Sequence, residues 1–284
     1  MSKINSIEKL ISEVKKDFKK WNTTATPWFR GEPKKVPMSL RPRLYRESHN
    51  ENLLLQNFRM KAPSVGLINT PPRGHTDQWL FLAQHVGLPT RLLDWTEGLL
   101  VALYFAVHTR EKGAVVWMLN PVELNRLSSD EYIEDNIFPL TWFSPEKVPL
   151  DKEDMVGVLQ LLSDRNIDKK SLDFDKNQMT LRINIGSRNI RGAWEKDAVG
   201  TDLPIAIHPT HVHPRISTQK SCFTVQGKDK SSLNELVDSR ILIKYVIRSR
   251  CIDQIKEDLK FMGITHFSLF PDLDGLAKEL REIY

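Results

Sequence analysis

Apolar residues recur at Ile7, Leu10, Ile11, Val14 and Phe18, the spacing of one helix face. Ser6 stands where an N-cap side chain is wanted, so the pattern predicts an amphipathic helix over residues 6–21. A short strand carrying Trp28-Phe29-Arg30-Gly31 is expected next. Pro33, Pro37 and Pro42 then forbid regular structure, which leaves Ser39-Leu40-Arg41-Pro42-Arg43-Leu44 as a basic loop. A second helix is predicted through Leu53, Leu54, Phe58 and Met60. The Pro71-Pro72-Arg73-Gly74 turn leads to a third, capped at Thr76 and ended at Gly87, with His85 in its last turn.

Residues 97–108 are almost wholly apolar in their middle and predict a buried helix. Ala114-Val115-Val116-Trp117-Met118-Leu119 reads as a buried strand closed by Asn120-Pro121. Residues 125–200 are weakly periodic and rich in Asp, Lys, Asn and Ser, and are expected to be inserted surface helices and loops. Three strand-like runs follow at 203–207, 223–226 and 241–247, then helices at 250–262 and 272–283. With no internal repeat and no low-complexity linker, the order predicts an N-terminal helix over 1–24 and one elaborated α+β domain over 25–284.

The 284 residues are 40% apolar and 27% charged, enough to build a sizeable core. No run approaches the roughly 18 apolar residues of a membrane span, and the first twenty residues do not resemble a signal peptide. A cytoplasmic protein without membrane partners is expected. Cys222 and Cys251 are too few for a disulfide framework and predict small core residues. The excess of 41 Lys and Arg over 36 Asp and Glu gives +5, a tilt towards polyanions that names no partner.

The candidate chemistry is concentrated in residues 85–96. His85, Arg91, Asp94 and Thr96 gather between a helix end and a buried helix, where charged groups need a reason to be present. They are read either as a binding site or as an Arg91–Asp94 ion pair fixing a loop, with His85 as a helix-end cap. Arg30 offers a fork of donors suited to phosphate or carboxylate, and Gly31 lets the backbone approach a ligand; the plainer reading is a surface arginine beside a turn glycine. His208, His211 and His213 fall within six residues, but no carboxylate or cysteine stands adjacent, so no metal is expected. Arg215 and Gln219 precede a strand, where an amide can read ribose hydroxyls or simply be solvated.

Trp28-Phe29-Arg30-Gly31, Leu40-Arg41-Pro42-Arg43-Leu44, residues 84–96 with Ala102-Leu103-Tyr104-Phe105-Ala106, residues 215–223 and Leu269-Phe270-Pro271-Asp272-Leu273-Asp274-Gly275-Leu276 resemble the FRG domain, a bacterial family named for its Phe-Arg-Gly motif. The resemblance spans residues 25–280. The motif order is similar to that of ADP-ribosyltransferases of the arginine-serine-glutamate type. This implies a split mixed or antiparallel sheet core with surrounding helices, NAD as substrate, no metal, and a protein or nucleic-acid acceptor. A role as a toxin or antiphage effector, with an antitoxin or regulatory partner, also fits the resemblance.

On that likeness, Arg30 and Gly31 match the phosphate-gripping motif, Asp94-Trp95-Thr96 with residues 102–106 the nicotinamide pocket, and Gln219 the late ribose-contacting position. NAD would be held by Arg30, Gly31, Arg91, Thr96 and Arg215. The catalytic candidates are Asp94, Gln219 and His85. Asp94-Trp95 replaces a small polar pair, and Gln219 cannot be the carboxylate that stabilises an oxocarbenium ion, so that role passes to Asp94. Two other readings stay open: a non-catalytic nucleotide or nucleic-acid module using Arg41, Arg43, Arg73 and the tryptophans, and an NAD glycohydrolase.

Overall fold

The computed structural model describes residues 3–23, 25–33, 39–65, 70–72, 75–108, 113–128, 148–149, 172–175, 180–183, 185–194, 200–209 and 214–284. The chain is α+β. Strand β1 (Lys3–Ile4) leads into α1 (Ile7–Lys20), whose Ser6 side chain caps it by accepting from the Lys9 amide. Strand β2 (Trp28–Pro33), α2 (Arg43–Glu47), α3 (Glu51–Lys61) and α4 (Thr76–His85) follow. Thr76 is the first residue of α4 rather than its cap: His75 takes the cap position, and its side chain makes no capping bond.

Next come β3 (Leu92–Thr96), α5 (Leu99–Val107), β4 (Ala114–Leu119) and α6 (Pro121–Ser128). Residues 92–96 thus form a strand where their polar content suggested a loop. Alternation explains it, since Leu93 and Trp95 pack into one core while Leu92 packs into another.

Of the expected insertion at 125–200, most lies outside the described residues. The described part includes strands β5 (Val148–Pro149), β6 (Leu172–Asp175) and β7 (Thr180–Ile183), which pair as a small antiparallel sheet where only helices and loops were expected. The period-two alternation of Leu172-Asp173-Phe174-Asp175 suits a strand. The chain continues through α7 (Ile185–Trp194), β8 (Ile205–Ile207), α8 (Pro214–Thr218), β9 (Ser221–Val225), α9 (Leu233–Leu236) and β10 (Leu242–Ile247). It ends with α10 (Ile252–Phe261), α11 (His266–Leu269) and α12 (Leu273–Ile283).

Among the described residues the main sheet has seven strands, in the order β1-β10-β4-β2-β3-β9-β8. Only β1 and β10 run parallel; the other neighbours are antiparallel. One face is covered in two halves. Over β10, β4 and β2, α5 packs with α1 and α10 on Phe29, Val116, Met118 and Tyr245. Over β3, β9 and β8, α3, α4 and α7 pack on Leu92, Phe223, Val225 and Ile205. The opposite face buries Trp28, Trp95, Trp117 and the fully buried Cys222 under Leu40, Leu124 and Leu233. The two halves meet at β2 and β3, which share a single register pair, Phe29 with Thr96.

Helix α5 lies directly on β2. A Cβ at position 31 would stand 1.7 Å from the Ala102 carbonyl oxygen and 2.7 Å from the Ala106 nitrogen, so only glycine fits. The close approach that Gly31 permits is therefore to a helix backbone, not to a ligand. Gly31→Ala is expected to lower the unfolding free energy by about 3 kcal/mol, as read from urea denaturation.

The C-terminal helices are docked through rings. The His108 ring stacks on Tyr104 at 3.7 Å, the Tyr104 hydroxyl hydrogen-bonds His266 Nδ1 at 2.9 Å, and His266 stacks on Phe270 at 4.5 Å. Burial, foremost, lowers the pKa of both imidazoles from the ordinary 6.5, with Lys256 adding to the effect at His108 and Lys278 at His266. The folded chain then binds fewer protons than the unfolded one, so stability is full above the ordinary imidazole value and falls as pH drops through it. The urea midpoint should decrease between about pH 7 and pH 5, and His108→Phe, which keeps a ring on Tyr104, should flatten that decrease.

Candidate functional site

Helix α4 stops because Gly87 turns left-handed, at φ 87°, and the Leu88 amide closes on the Ala83 carbonyl. The turn sends the chain back as β3 and sets the end of α4 against Asp94. The contact is made by Gln84: its amide nitrogen donates to both Asp94 carboxylate oxygens at 3.0 and 2.9 Å. The Thr90 hydroxyl donates to Gln84 Oε1 at 2.5 Å, which fixes the amide's orientation. The Asp94 side chain is nevertheless 55% exposed. His85 lies one residue beyond Gln84, half-buried in the last turn.

Arg30 alternates with Phe29 and Gly31 and leaves β2 on the side of Trp28 and Glu32. Beyond the Phe29–Thr96 pair its guanidinium fills the gap between β2 and β3: Nη1 donates to the Asp94 carbonyl at 2.7 Å and lies 3.8 Å from Asp94 Oδ2. Its Nε is buried, has no hydrogen-bond partner among the described residues, and stands 3.6 Å from Glu32 Oε2. Glu32 is itself buried, with Oε1 accepting from Trp117 Nε1 at 2.7 Å and from the Ser39 hydroxyl. Sequence reasoning passed over both Gln84 and Glu32. Glu32 had a signal, since a carboxylate two residues from a strand arginine shares its face.

The other expected ligand contacts are joints of the scaffold. The Arg91 side chain, 14% exposed, pairs with buried Glu51 at 2.8 Å and donates to the Asn189 and Gly192 carbonyls at 2.8 and 2.6 Å. It clamps α3 and α7 to the start of β3. Arg91 and Asp94 therefore do not form the ion pair considered above. The Thr96 hydroxyl donates to the Gln219 carbonyl at 2.6 Å and accepts from the Gly98 amide at 2.9 Å. The Gln219 side chain donates to the Leu269 carbonyl at 3.0 Å. Arg215 pairs with Asp272, Nε to Oδ2 at 2.8 Å, and lies over the Phe270 ring at 5.1 Å. The Gly275 amide and Arg215 hold the Asp272 carboxyl below its ordinary pKa. Thr96, Gln219 and Arg215 thus tie β3 and the α8–β9 turn to the C-terminal helices.

His208 packs edge-on to Trp28 at 5.1 Å, with Nε2 3.9 Å from Glu97. His211, His213 and Arg73 lie outside the described residues. Among the described residues, no three His, Cys, Asp or Glu side chains group as metal ligands would, and no helix is long and apolar enough to cross a membrane.

The strand bearing Phe29-Arg30-Gly31, the α4–β3 turn and α5 form one contiguous stretch of chain. Residues 25–114 match the FRG domain. The match runs from β2 to the first residue of β4 and holds Arg30, Gln84, His85, Asp94 and Thr96. It stops well short of the resemblance read to residue 280, and Arg215 and Gln219 lie outside it. No curated protein and no solved structure matches the chain.

If Arg91 is a scaffold clamp, Arg91→Ala strips a buried carboxylate of its partner and should cost about 3 kcal/mol of stability, measured by urea unfolding. An unchanged unfolding curve would return Arg91 to the list of ligand contacts.

Proposed function

We propose that the FRG segment uses NAD as substrate in mono-ADP-ribosyl transfer to a macromolecular acceptor, at the gap between β2 and β3 and on a core of the ADP-ribosyltransferase kind. The observation that carries this reading is the exposed Asp94 carboxylate, oriented by Gln84, beside an arginine with a buried donor left unmatched. An anion at the gap would satisfy that donor.

In the proposed step the bond between ribose C1′ and the nicotinamide nitrogen breaks, and its electron pair leaves with neutral nicotinamide. Positive charge develops on the ribose, and the Asp94 carboxylate stabilises it. Because Gln84 holds both carboxylate oxygens, little reorganisation is needed as the charge forms. An acceptor nucleophile then bonds to C1′ and loses its proton, for which His85, in the adjoining turn, is the candidate base. Gln219, bonded to Leu269, serves to hold the C-terminal segment, so the carboxylate chemistry rests on Asp94 alone.

The test is incubation of the full chain with NAD labelled in the ADP-ribose part and a cell lysate, following free nicotinamide and label in protein and nucleic acid. Asp94→Asn, nearly isosteric, and Arg30→Ala should each reduce labelling by about a hundredfold or more, with urea midpoints read alongside. Nicotinamide release without label would replace transfer by hydrolysis. Neither signal from the wild-type chain would overturn the proposal in favour of a binding module.

A further inference from the structure

Asp94 is a carboxylate in contact with solvent, its side chain 55% exposed, and an aspartate so placed on a strand is free to turn about two side-chain bonds. A group that must meet charge as it develops works best when it is already held in place. Gln84 does the holding, and Gln84 is in turn held by Thr90, which is fully buried.

The polarity of this relay of donors is fixed link by link. The Leu92 amide donates to Thr90 Oγ1 at 3.1 Å, and the one hydroxyl proton of Thr90 goes to Gln84 Oε1 at 2.5 Å, a carbonyl oxygen that can only accept. With its oxygen turned to Thr90, the Gln84 amide presents its nitrogen to Asp94, and both carboxylate oxygens accept from it. The relay has a rigid base. Thr90 precedes Arg91, whose amide donates to buried Glu51 at 2.9 Å and whose guanidinium is the clamp on α3 and α7. The relay thus runs from the backbone of β3 through the last turn of α4 and back to a side chain of β3.

We infer that Thr90 and Gln84 are positioning residues, which hold Asp94 in one orientation and as an acceptor of hydrogen bonds alone. Gln84 offers Asp94 donors and no acceptor, so Asp94 meets positive charge or a hydroxyl donor and hands no proton along the relay. Nicotinamide leaves as a neutral molecule without being protonated, so the step asks no acid of Asp94, and the acceptor's proton goes to His85. The catalytic consequence rests on the NAD reading; the orientation of Asp94 does not.

Kinetics of nicotinamide release and NMR of the Gln84 side-chain amide, both on the full chain, test this. The wild-type amide signal should lie away from that of a solvated glutamine and should move in Asp94→Asn. Thr90→Val keeps the shape and removes the hydroxyl. It should move the signal as well and lower kcat by about ten- to a hundredfold, with KM for NAD unchanged, since Asp94 is used in the transition state. Thr90→Ser should recover most of the loss. Gln84→Met, at a half-buried helix end, should lose at least as much as Thr90→Val, and the double variant no more than Gln84→Met alone, because Thr90 acts only through Gln84. Urea midpoints establish that each variant is folded in the assay. Additive losses, a raised KM in place of a lowered kcat, or an amide signal that Thr90→Val leaves unchanged overturns the relay, as does a wild-type kcat in Gln84→Met should Thr90→Val not fold. An amide signal displaced by Thr90→Val in a chain that releases no nicotinamide sustains the relay and refutes only the transferase reading.

Discussion

The backbone of α5 lies against β2 so closely that no side chain can stand at position 31, and the rest of the arrangement follows from that approach. With Gly31 and Phe29 pressed on the helix, the alternation of the strand turns Trp28, Arg30 and Glu32 to the other side. Arg30 is therefore aimed by packing energy some distance from its own charge. The second half of the sheet has its own anchor in Arg91, whose donors gather Glu51, Asn189 and Gly192 into one buried joint. Two well-packed halves meet along strands that share one register pair, and the seam holds the polar groups that neither half could bury.

Much of this was legible from local sequence. The Ser6 cap, the apolar run of α5, the Gly87-Leu88-Pro89 stop and the strand at 114–119 are written in neighbouring residues, so the corresponding elements formed where expected. Asp94 stood out in the sequence as a charge where apolar neighbours made charge costly, and Arg30 as a fork of donors beside a glycine, with a surface arginine the plainer reading. The partners did not. Arg91 meets a glutamate 40 residues away and carbonyls about 100 residues away, and nothing in local spacing encodes such a distance. Gln84 was hidden by the more conspicuous His85 beside it. Strand β1 consists of two residues, too few to show any period.

Among the site residues expected from the sequence, the use of their polar atoms separates scaffold from candidate chemistry. Arg91, Thr96, Gln219 and Arg215 spend their polar atoms on partners within the protein. Arg30 keeps a buried donor unmatched and Asp94 keeps its carboxylate in solvent contact. A buried donor without a partner costs on the order of 1–3 kcal/mol, and such a cost persists at a site where something else completes the bond. Residue type alone put Arg30 and Arg91 in the same class; the accounting of their hydrogen bonds puts them in different ones.

The position of the seam also bears on what counts as a unit here. Residues 25–114 contain β2 and β3 whole, but β4, which pairs with β2 from Trp28 to Pro33, enters only at its first residue, and β9, which pairs with β3 from Leu92 to Thr96, lies wholly beyond. Cut at those limits, the segment would keep one register pair between two strands and lose the neighbour on each outer side. The stretch that matches the family is thus smaller than the sheet its strands are paired in. Any transplantation of the Phe-Arg-Gly segment must carry the later strands with it.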